Sequence, residues 1–232
     1  MSDYDTTLGD HSEISRKLLH DVESFIDEIG TRNCTAHLQA VMRDGEFLRG
    51  KQLGQKPERF VEDFLIVPVL ETLGHSVLAR PIQYAPRWTH GRGIPDFSLT
   101  TIPTATAKEH DIRLFVEAKP PNKLHYARDD VEEYLKKDLD FDAIAVLTDG
   151  IEWELWIRPQ NEPLDQDYEP ERTASLRPAL TDAKVRNLEK ESYHPYHTRS
   201  KIDAGEFNEF TAPAVVSLIQ EELGIAADID VL

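Results

Sequence analysis

The chain has 232 residues, 40% of them hydrophobic, and no apolar run approaches the roughly 18 positions that a membrane-spanning helix needs. It carries 26 Lys and Arg against 43 Asp and Glu, and this net charge of −17 excludes a general basic footprint for nucleic acid. A single cysteine excludes an intramolecular disulfide, and the acidic first residues do not resemble a secretory signal, so a soluble cytoplasmic protein is expected.

The first segment has the apolar spacing of an amphipathic helix. Its apolar residues recur at intervals of three and four: Ile14, Leu18, Val22, Phe25 and Ile29. Gly30 fits a C-terminal stop. We predict a helical N-terminal appendage over residues 1–50, used for packing or for self-association as a homodimer. Within it, Cys34 and His37 lack a second pair of metal ligands, which favours a lone buried thiol over a zinc site.

A second helix is predicted to open the core. Pro57 suits the first turn of a helix, and apolar residues at helical spacing give it a broad buried face. Pro68 should kink this helix, because proline removes the hydrogen bond to the Phe64 carbonyl. Glu58 and Glu62, one turn apart, are expected to point outward together, either as solvated charges or as part of an acidic site.

Two short strands between Gly93 and Lys119 organise the sequence. Asp96 opens the first strand. The second strand ends at Glu117-Ala118-Lys119, and its period of two places apolar residues on one face and Glu117 and Lys119 on the other. If the two strands pair as a hairpin, the carboxylates of Asp96 and Glu117 converge.

This arrangement suits a divalent cation. Mg²⁺ takes oxygen ligands, typically one or two carboxylates completed by waters and substrate phosphate. Asp96 and Glu117 would supply the carboxylates, the carbonyl of Ala118 would be a third ligand, and Mn²⁺ would substitute for Mg²⁺. Lys119 would orient the attacking water and balance developing negative charge. The sequence thus predicts a metal-dependent centre that cleaves phosphodiesters.

Basic residues concentrate around this centre. Ser76–Pro86 is predicted as a strand leading into a glycine-bearing loop, Arg87–Gly93, where Arg92 and backbone amides could approach a phosphate. A plain connection between strands would have the same composition. Lys123 and Arg128 follow the second strand as further candidates for nucleic-acid binding. A high-salt, halophilic cytoplasm would explain the excess of carboxylates, and a protein that never contacts DNA is the alternative.

The remaining elements are predicted to support the site. Ile102–His110 is expected to be the loop connecting the two strands. Ala143–Leu147 is predicted as a buried central strand, followed by a turn at Thr148–Gly150 and an edge strand at Trp153–Arg158. Residues 161–232 are predicted as a polar loop and a C-terminal helix packed on the core.

The order and placement of these motifs resemble a known nuclease family. Pro95-Asp96 on one strand, followed by Glu117-Ala118-Lys119 on the next, resembles the active-site pattern of the PD-(D/E)XK nuclease superfamily. The segment Pro57–Pro159, a little under half of the chain, is similar to the nuclease domain at the N-terminus of type I restriction enzyme motor subunits.

The resemblance implies further site residues. It implies a glutamate on the first core helix, and alignment on Pro68 favours Glu58 over Glu62. It also implies a glutamine and, four residues later, a tyrosine on the helix that follows the second strand, where they would contact DNA. Tyr134 matches this pattern, but Asp130 stands at the glutamine position. Asp130 either approaches the metal or, in the favoured interpretation, faces solvent.

Taken together, these features predict an α/β protein with a restriction-endonuclease-like mixed sheet, a core over residues 51–160 and helical additions at both ends. The predicted function is Mg²⁺-dependent endonucleolytic hydrolysis of DNA in restriction, defence or repair. Restriction-system or motor subunits are the expected partners, because the chain has no NTPase phosphate-binding loop. The alternative is a catalytically silent relative that acts as a binding or scaffold subunit.

Overall fold

The structure is a computed structural model that describes residues 7–34, 41, 46–79, 95–135, 141–160, 168–177 and 204–224. Its helices are α1 (Thr7–Thr31), α2 (Gly50–Leu53), α3 (Pro57–Val61), α4 (Val67–Thr72), α5 (Thr104–Glu109), α6 (Leu124–Leu135), α7 (Ala204–Asn208) and α8 (Ala212–Leu223). Its strands are β1 (Val77–Ala79), β2 (Phe97–Leu99), β3 (Ile112–Ala118), β4 (Asp142–Thr148), β5 (Glu152–Arg158) and β6 (Arg172–Ser175). The loop Arg87–Gly93, including Arg92, and His37 lie outside the described residues.

The six strands form one mixed sheet in the order β1-β2-β3-β4-β5-β6. All neighbouring pairs are antiparallel except β3 and β4, which run parallel and are joined by a connection that contains α6. A parallel pair requires such a crossover, because the chain must return to the other end of the sheet before the second strand begins, and a tight turn is too short for this. The predicted mixed α/β architecture is therefore confirmed.

Alternation along the strands divides the buried side chains between two faces of the sheet. Leu114, Val116 and Ala118 of β3 belong to the larger hydrophobic cluster, which also contains residues of α1, α3, α4 and α8. Phe115 points the other way, into a smaller cluster with α6. Helices thus cover both faces, as a sheet containing a buried parallel pair requires.

The N-terminal helix is confirmed and packs directly on the core. Its apolar stripe is fully buried except for Ile14, which is partly buried, and the ring centroid of Phe25 lies 5.6 Å from that of Phe60 in α3. The same stripe contributes Leu18, Val22 and Ile29 to the larger cluster beneath the sheet. The prediction of a buried thiol at Cys34 is also confirmed.

The predicted disturbance at Pro68 is a π-helical turn rather than a simple kink. Between α3 and α4, residues Glu62–Ile66 form this turn, and the Val67 N–H donates to the Glu62 carbonyl five residues earlier. Proline cannot donate to Phe64, so a wider turn immediately before it is the local solution. The extra residue changes which side chains face inward, and Glu62 becomes fully buried. The expectation that Glu62 points outward was wrong.

Two other expectations were wrong. Trp153–Arg158 is not an edge strand, because β5 pairs with β4 on one side and with β6 on the other. The edge strand on this side is β6, which was not predicted because it is short and polar and has no alternating apolar pattern. The connection Ile102–His110 contains helix α5, although Pro103 and several threonines favoured a loop. Among the described residues, no helix combines the length and the apolar character needed to cross a membrane.

Candidate active site and metal centre

The β2–β3 hairpin brings three of the predicted site residues to one end of the sheet. Phe97 pairs with Val116, so the register places Asp96 opposite Glu117. Asp96 Oδ2 accepts a hydrogen bond of 2.9 Å from the backbone N–H of Ala118. Glu117 is 8% exposed, and its Oε1 lies 2.5 Å from Lys119 Nζ. The predicted position of Asp96 and Glu117 at the same end of the hairpin is therefore confirmed, and Glu117 contacts Lys119, while the joint role of the three residues as one site stays a prediction.

A cluster of three carboxylates adjoins this group. Oxygen atoms of Glu58, Glu62 and Asp96 all lie within 4.8 Å of one another. Glu58 belongs to helix α3, Glu62 belongs to the π-helical turn, and Asp96 directly precedes β2. Arg59 Nη1 donates to Glu62 Oε2 at 2.8 Å, which balances part of the buried negative charge. Three close oxygens from separate elements match the donor chemistry of a hard divalent cation.

Lys119 is held between two acids. Besides Glu117, its ammonium contacts Asp130 Oδ2 of α6 at 3.1 Å. The backbone N–H of Lys119 donates to the Thr148 carbonyl, which fixes this residue beyond the end of β3. The ammonium therefore has a defined position above the end of the sheet, and Asp130 approaches the site instead of facing only solvent.

Burial and charge shift the acid–base properties of this group. Burial raises the pKa of Glu117 to about 7, and the negative charges of Asp96 and Asp130 act in the same direction, whereas Lys119 opposes them. For Lys119, burial lowers the pKa, but the charges and hydrogen bonds of Glu117 and Asp130 outweigh that effect and the net pKa is raised. Lys119 is therefore a stable cation at neutral pH. A bound metal would compete with it for the Glu117 carboxylate.

The turn between β4 and β5 contacts the two segments that carry residues of the centre. Gly150 adopts φ +84, and a Cβ at this position would lie 2.5 Å from Val61 Cγ1 of α3. Only glycine allows this turn to approach the helix so closely. Asp149, fully buried in the same turn, accepts hydrogen bonds from the backbone N–H groups of Asn122, Ile151 and Glu152. The helix carrying Glu58 and the loop after Lys119 are thereby fixed to the same turn.

The other predicted binding residues lie in different surroundings. The Ala118 N–H serves Asp96, and the proposed use of the Ala118 carbonyl as a ligand stays a prediction. Arg128 makes a bidentate ion pair with the buried Glu154. Lys123 Nζ lies 4.5 Å from the centre of the Phe47 ring. Tyr134 lies in the last turn of α6.

Sequence reasoning named two further partners at this site but did not favour them. Glu62 carried the correct spacing from Glu58, but its burial depends on the π-helical turn, which no simple periodicity predicts. For Asp130 an exposed position was favoured over an approach to the metal, although its position on the helix that follows Glu117-Ala118-Lys119 was the available signal. A carboxylate close to a lysine ammonium can form an ion pair.

Fold and site together define a mixed α/β protein with a carboxylate and lysine centre at one end of its sheet. No family model, curated protein or solved structure matches this chain.

Proposed function

We propose that this protein is a metal-dependent nuclease that hydrolyses DNA phosphodiester bonds on a restriction-endonuclease-like fold. The observation that carries the proposal is the convergence of Asp96, Glu117 and Lys119 from two paired strands beside Glu58 and Glu62. Acids that could hold a cation and a fixed ammonium that could stabilise a phosphate transition state therefore occupy one site.

The donor set fits Mg²⁺ or Mn²⁺. Asp96 would be the shared ligand, because it belongs to the three-carboxylate cluster and lies opposite Glu117 in the hairpin. Glu58 and Glu117 would complete the protein ligands from either side. When bound, such an ion neutralises phosphate charge and lowers the pKa of a coordinated water.

The residues of the chain perform the positioning. The Ala118 N–H orients the Asp96 carboxylate, and Arg59 holds Glu62 in place. Lys119, fixed by Glu117 and Asp130, would donate a hydrogen bond to the attacking water and offset the negative charge that develops on the phosphate. Removal of the Lys119 ammonium should therefore impair the reaction more than the folding.

Plasmid nicking tests this function. The parent protein is assayed with Mg²⁺ or Mn²⁺ in low and in multimolar KCl, together with Lys119→Ala. Lys17→Ala, which removes an exposed ammonium on α1, is the matched control. We expect the parent and Lys17→Ala to nick DNA and Lys119→Ala to lose at least about a hundredfold in rate. Equal activity of Lys119→Ala would contradict the proposed role.

A silent scaffold subunit is the alternative function. It is favoured by the net charge of −17 and by Asp130, whose contact with Lys119 adds a second acid at the ammonium. DNA binding by the parent without nicking under every salt and metal condition would support this alternative.

A further inference from the structure

Exposed rings from two segments lie around Lys123, in the loop that follows Lys119: Phe47 precedes α2, and His125 and Tyr126 belong to the first turn of α6. These four residues are here called the aromatic platform. Phe47 is 50% exposed and Tyr126 49% exposed, and they are two of the three large hydrophobic side chains exposed in the described part of the chain. Rings of this size normally bury most of their surface, so two exposed together indicate a contact surface.

The Lys123 ammonium lies close to two rings of the platform. Lys123 Nζ lies 4.5 Å from the centroid of the Phe47 ring and 5.8 Å from that of Tyr126. The imidazole of the exposed His125 lies 4.1 Å from the Tyr126 centroid at a tilt of 38°. The nearest acid along the chain from Phe47 is Glu46, which Arg49 approaches at 3.7 Å. Lys123 supplies the positive charge of the platform, and Asp129 and Asp130 follow Tyr126 by one turn of α6.

Asn122 holds the two parts of the platform together. With φ at 66°, its side-chain amide donates to the carbonyls of Val41 and Glu46, each at 2.9 Å. Its backbone N–H donates to the buried Asp149. The segment carrying Phe47 is thereby tied to the loop carrying Lys123, so the arrangement of the rings is built into the fold.

The platform adjoins the proposed catalytic lysine. Tyr126 and Asp130 are four residues apart on α6 and therefore lie on the same helix face, and Asp130 contacts Lys119. Lys123 follows Lys119 by four residues, which limits their Cα separation to about 14 Å even in a fully extended chain. A nucleic-acid strand with one phosphate bound at Lys119 would therefore place its neighbouring nucleotides at the platform.

We propose that the aromatic platform stacks the bases of an unpaired nucleic-acid strand and presents the adjacent phosphate to the centre around Lys119. Exposed rings combined with cations bind single strands, because every base offers a π-face and no duplex has to be opened. The platform would thus direct the nuclease to single-stranded regions, flaps or ends. This inference rests on the proposed function for its consequence, but base stacking can be measured without cleavage.

Fluorescence anisotropy with labelled oligonucleotides tests the platform in the presence of EDTA, so that binding alone is observed. The probes are a 20-nucleotide dT strand, the same length of abasic strand, a matched duplex and the corresponding rU strand. We expect the parent to bind the dT strand more tightly than the duplex or the abasic strand. The rU strand distinguishes a DNA-selective surface from one that accepts either nucleic acid, and stacking on both would still support the proposal.

Substitutions separate stacking from general apolar contact. Tyr126→Leu and Phe47→Leu retain bulk but remove the ring, and each should weaken dT binding about tenfold while leaving abasic binding unchanged. Tyr126→Phe retains the ring and should bind like the parent. Leu78→Ala, at the other large exposed hydrophobic residue, is the surface control. Circular dichroism of each variant confirms folding.

Several results would overturn the proposal. These are tighter binding of the duplex than of the dT strand, no binding of the dT strand, equal losses for dT and abasic probes, or unchanged dT binding by both leucine variants. Dissociation of a parent dimer by the leucine variants, with dT binding unaffected, would assign the rings to self-association instead. A parent that binds dT through the platform but never nicks DNA would refute the proposed nuclease function alone.

Discussion

At the scale of single residues, the close carboxylates around Asp96 repel one another. Glu58, Glu62 and Asp96 have oxygens within 4.8 Å of one another, and the ion pair of Arg59 with Glu62 offsets part of this repulsion. Like charges at such distances disfavour the folded state, and a divalent cation would reverse that effect. Metal binding should therefore be visible as a gain in stability.

Glu58→Gln tests this relation. Without metal, the variant should be at least as stable as the parent, because one of three repelling charges is removed. With Mn²⁺ at a hundredfold excess over its Kd, the parent should gain about 2.7 kcal/mol, and the variant should lose most of that gain. Thermal melts with and without Mn²⁺ measure both effects. Glu71→Gln, an exposed carboxylate on α4, is the control, and an equal Mn²⁺ shift in all three proteins would exclude Glu58 as a ligand.

His75 is a buried group whose titration should affect folding. Its Nδ1 lies 2.7 Å from Thr101 Oγ1 and its Nε2 lies 2.8 Å from the Phe210 carbonyl, so the neutral ring donates through Nε2. Burial lowers the pKa of His75 below its ordinary value of 6.5, although the hydrogen bond to Phe210 opposes this shift. The stability that this group contributes is thus present above pH 6.5 and is lost as the pH falls.

A comparison of urea denaturation between pH 7.5 and 5.5 checks the sign. Between these values the unfolded chain binds more protons at His75 than the folded chain does, so the free energy of unfolding should fall toward pH 5.5 relative to His75→Gln. The glutamine amide can still donate to Phe210 but does not titrate. Buried acids such as Asp149 with raised pKa values act in the opposite direction in both proteins, so the difference between the two isolates His75. Parallel pH profiles would contradict the assignment.

At the scale of elements, the close approach of the β4–β5 turn to α3 should be decisive for stability. Gly150→Ala would place a methyl group 2.5 Å from Val61 Cγ1 at a φ of +84, which adds a steric clash to backbone strain. We expect a loss of about 3 kcal/mol or more in the free energy of unfolding.

The matched control is Gly54→Ala, at the residue that ends α2. Gly54 has φ +68, and nothing lies within 4 Å of the point that a Cβ would occupy, so this variant tests the backbone cost alone, about 1 kcal/mol. Urea denaturation of both variants measures the difference. Similar losses at the two positions would show that the turn moves away from the helix at little cost.

Local patterns predicted those elements in which a single period dominates. The apolar stripe of α1 and the alternation of β3 are of this kind, and both led to the correct element. β6 and α5 were missed, because β6 has only four residues with no apolar alternation and α5 has only six residues, two of them threonine, directly after Pro103. Their structures depend on neighbours: β6 forms against β5, and α5 packs beside β3.

The site residues also fall into two groups, those that local patterns predict and those whose positions depend on the rest of the fold. Asp96, Glu117 and Lys119 were predictable, because strand alternation and one hairpin suffice to bring them together. Glu62 required an additional residue in a helical turn, and the contact of Asp130 with Lys119 required the position of α6 relative to β3. The periodicity of the sequence predicts neither the π-helical turn nor the position of α6 relative to β3.

At the scale of the whole molecule, the net charge of −17 should make stability depend on salt. Self-repulsion between surface carboxylates opposes the compact state, and the screening length falls from about 10 Å at 0.1 M salt to about 3 Å at 1 M. The melting temperature should therefore rise with KCl, most steeply below about 1 M. The largely buried pair of Lys119 with Glu117 should lose little, because the protein interior excludes the screening ions.

Thermal melts in KCl and in NaCl at matched ionic strength test this expectation. Equal gains in the two salts would identify screening as the cause, since screening depends on ionic strength and not on the ion. A melting temperature that falls with salt would show that attractive surface pairs outweigh the repulsion. In that case the excess of carboxylates would have no stabilising use in concentrated salt, and the halophilic interpretation of the composition would have to be abandoned.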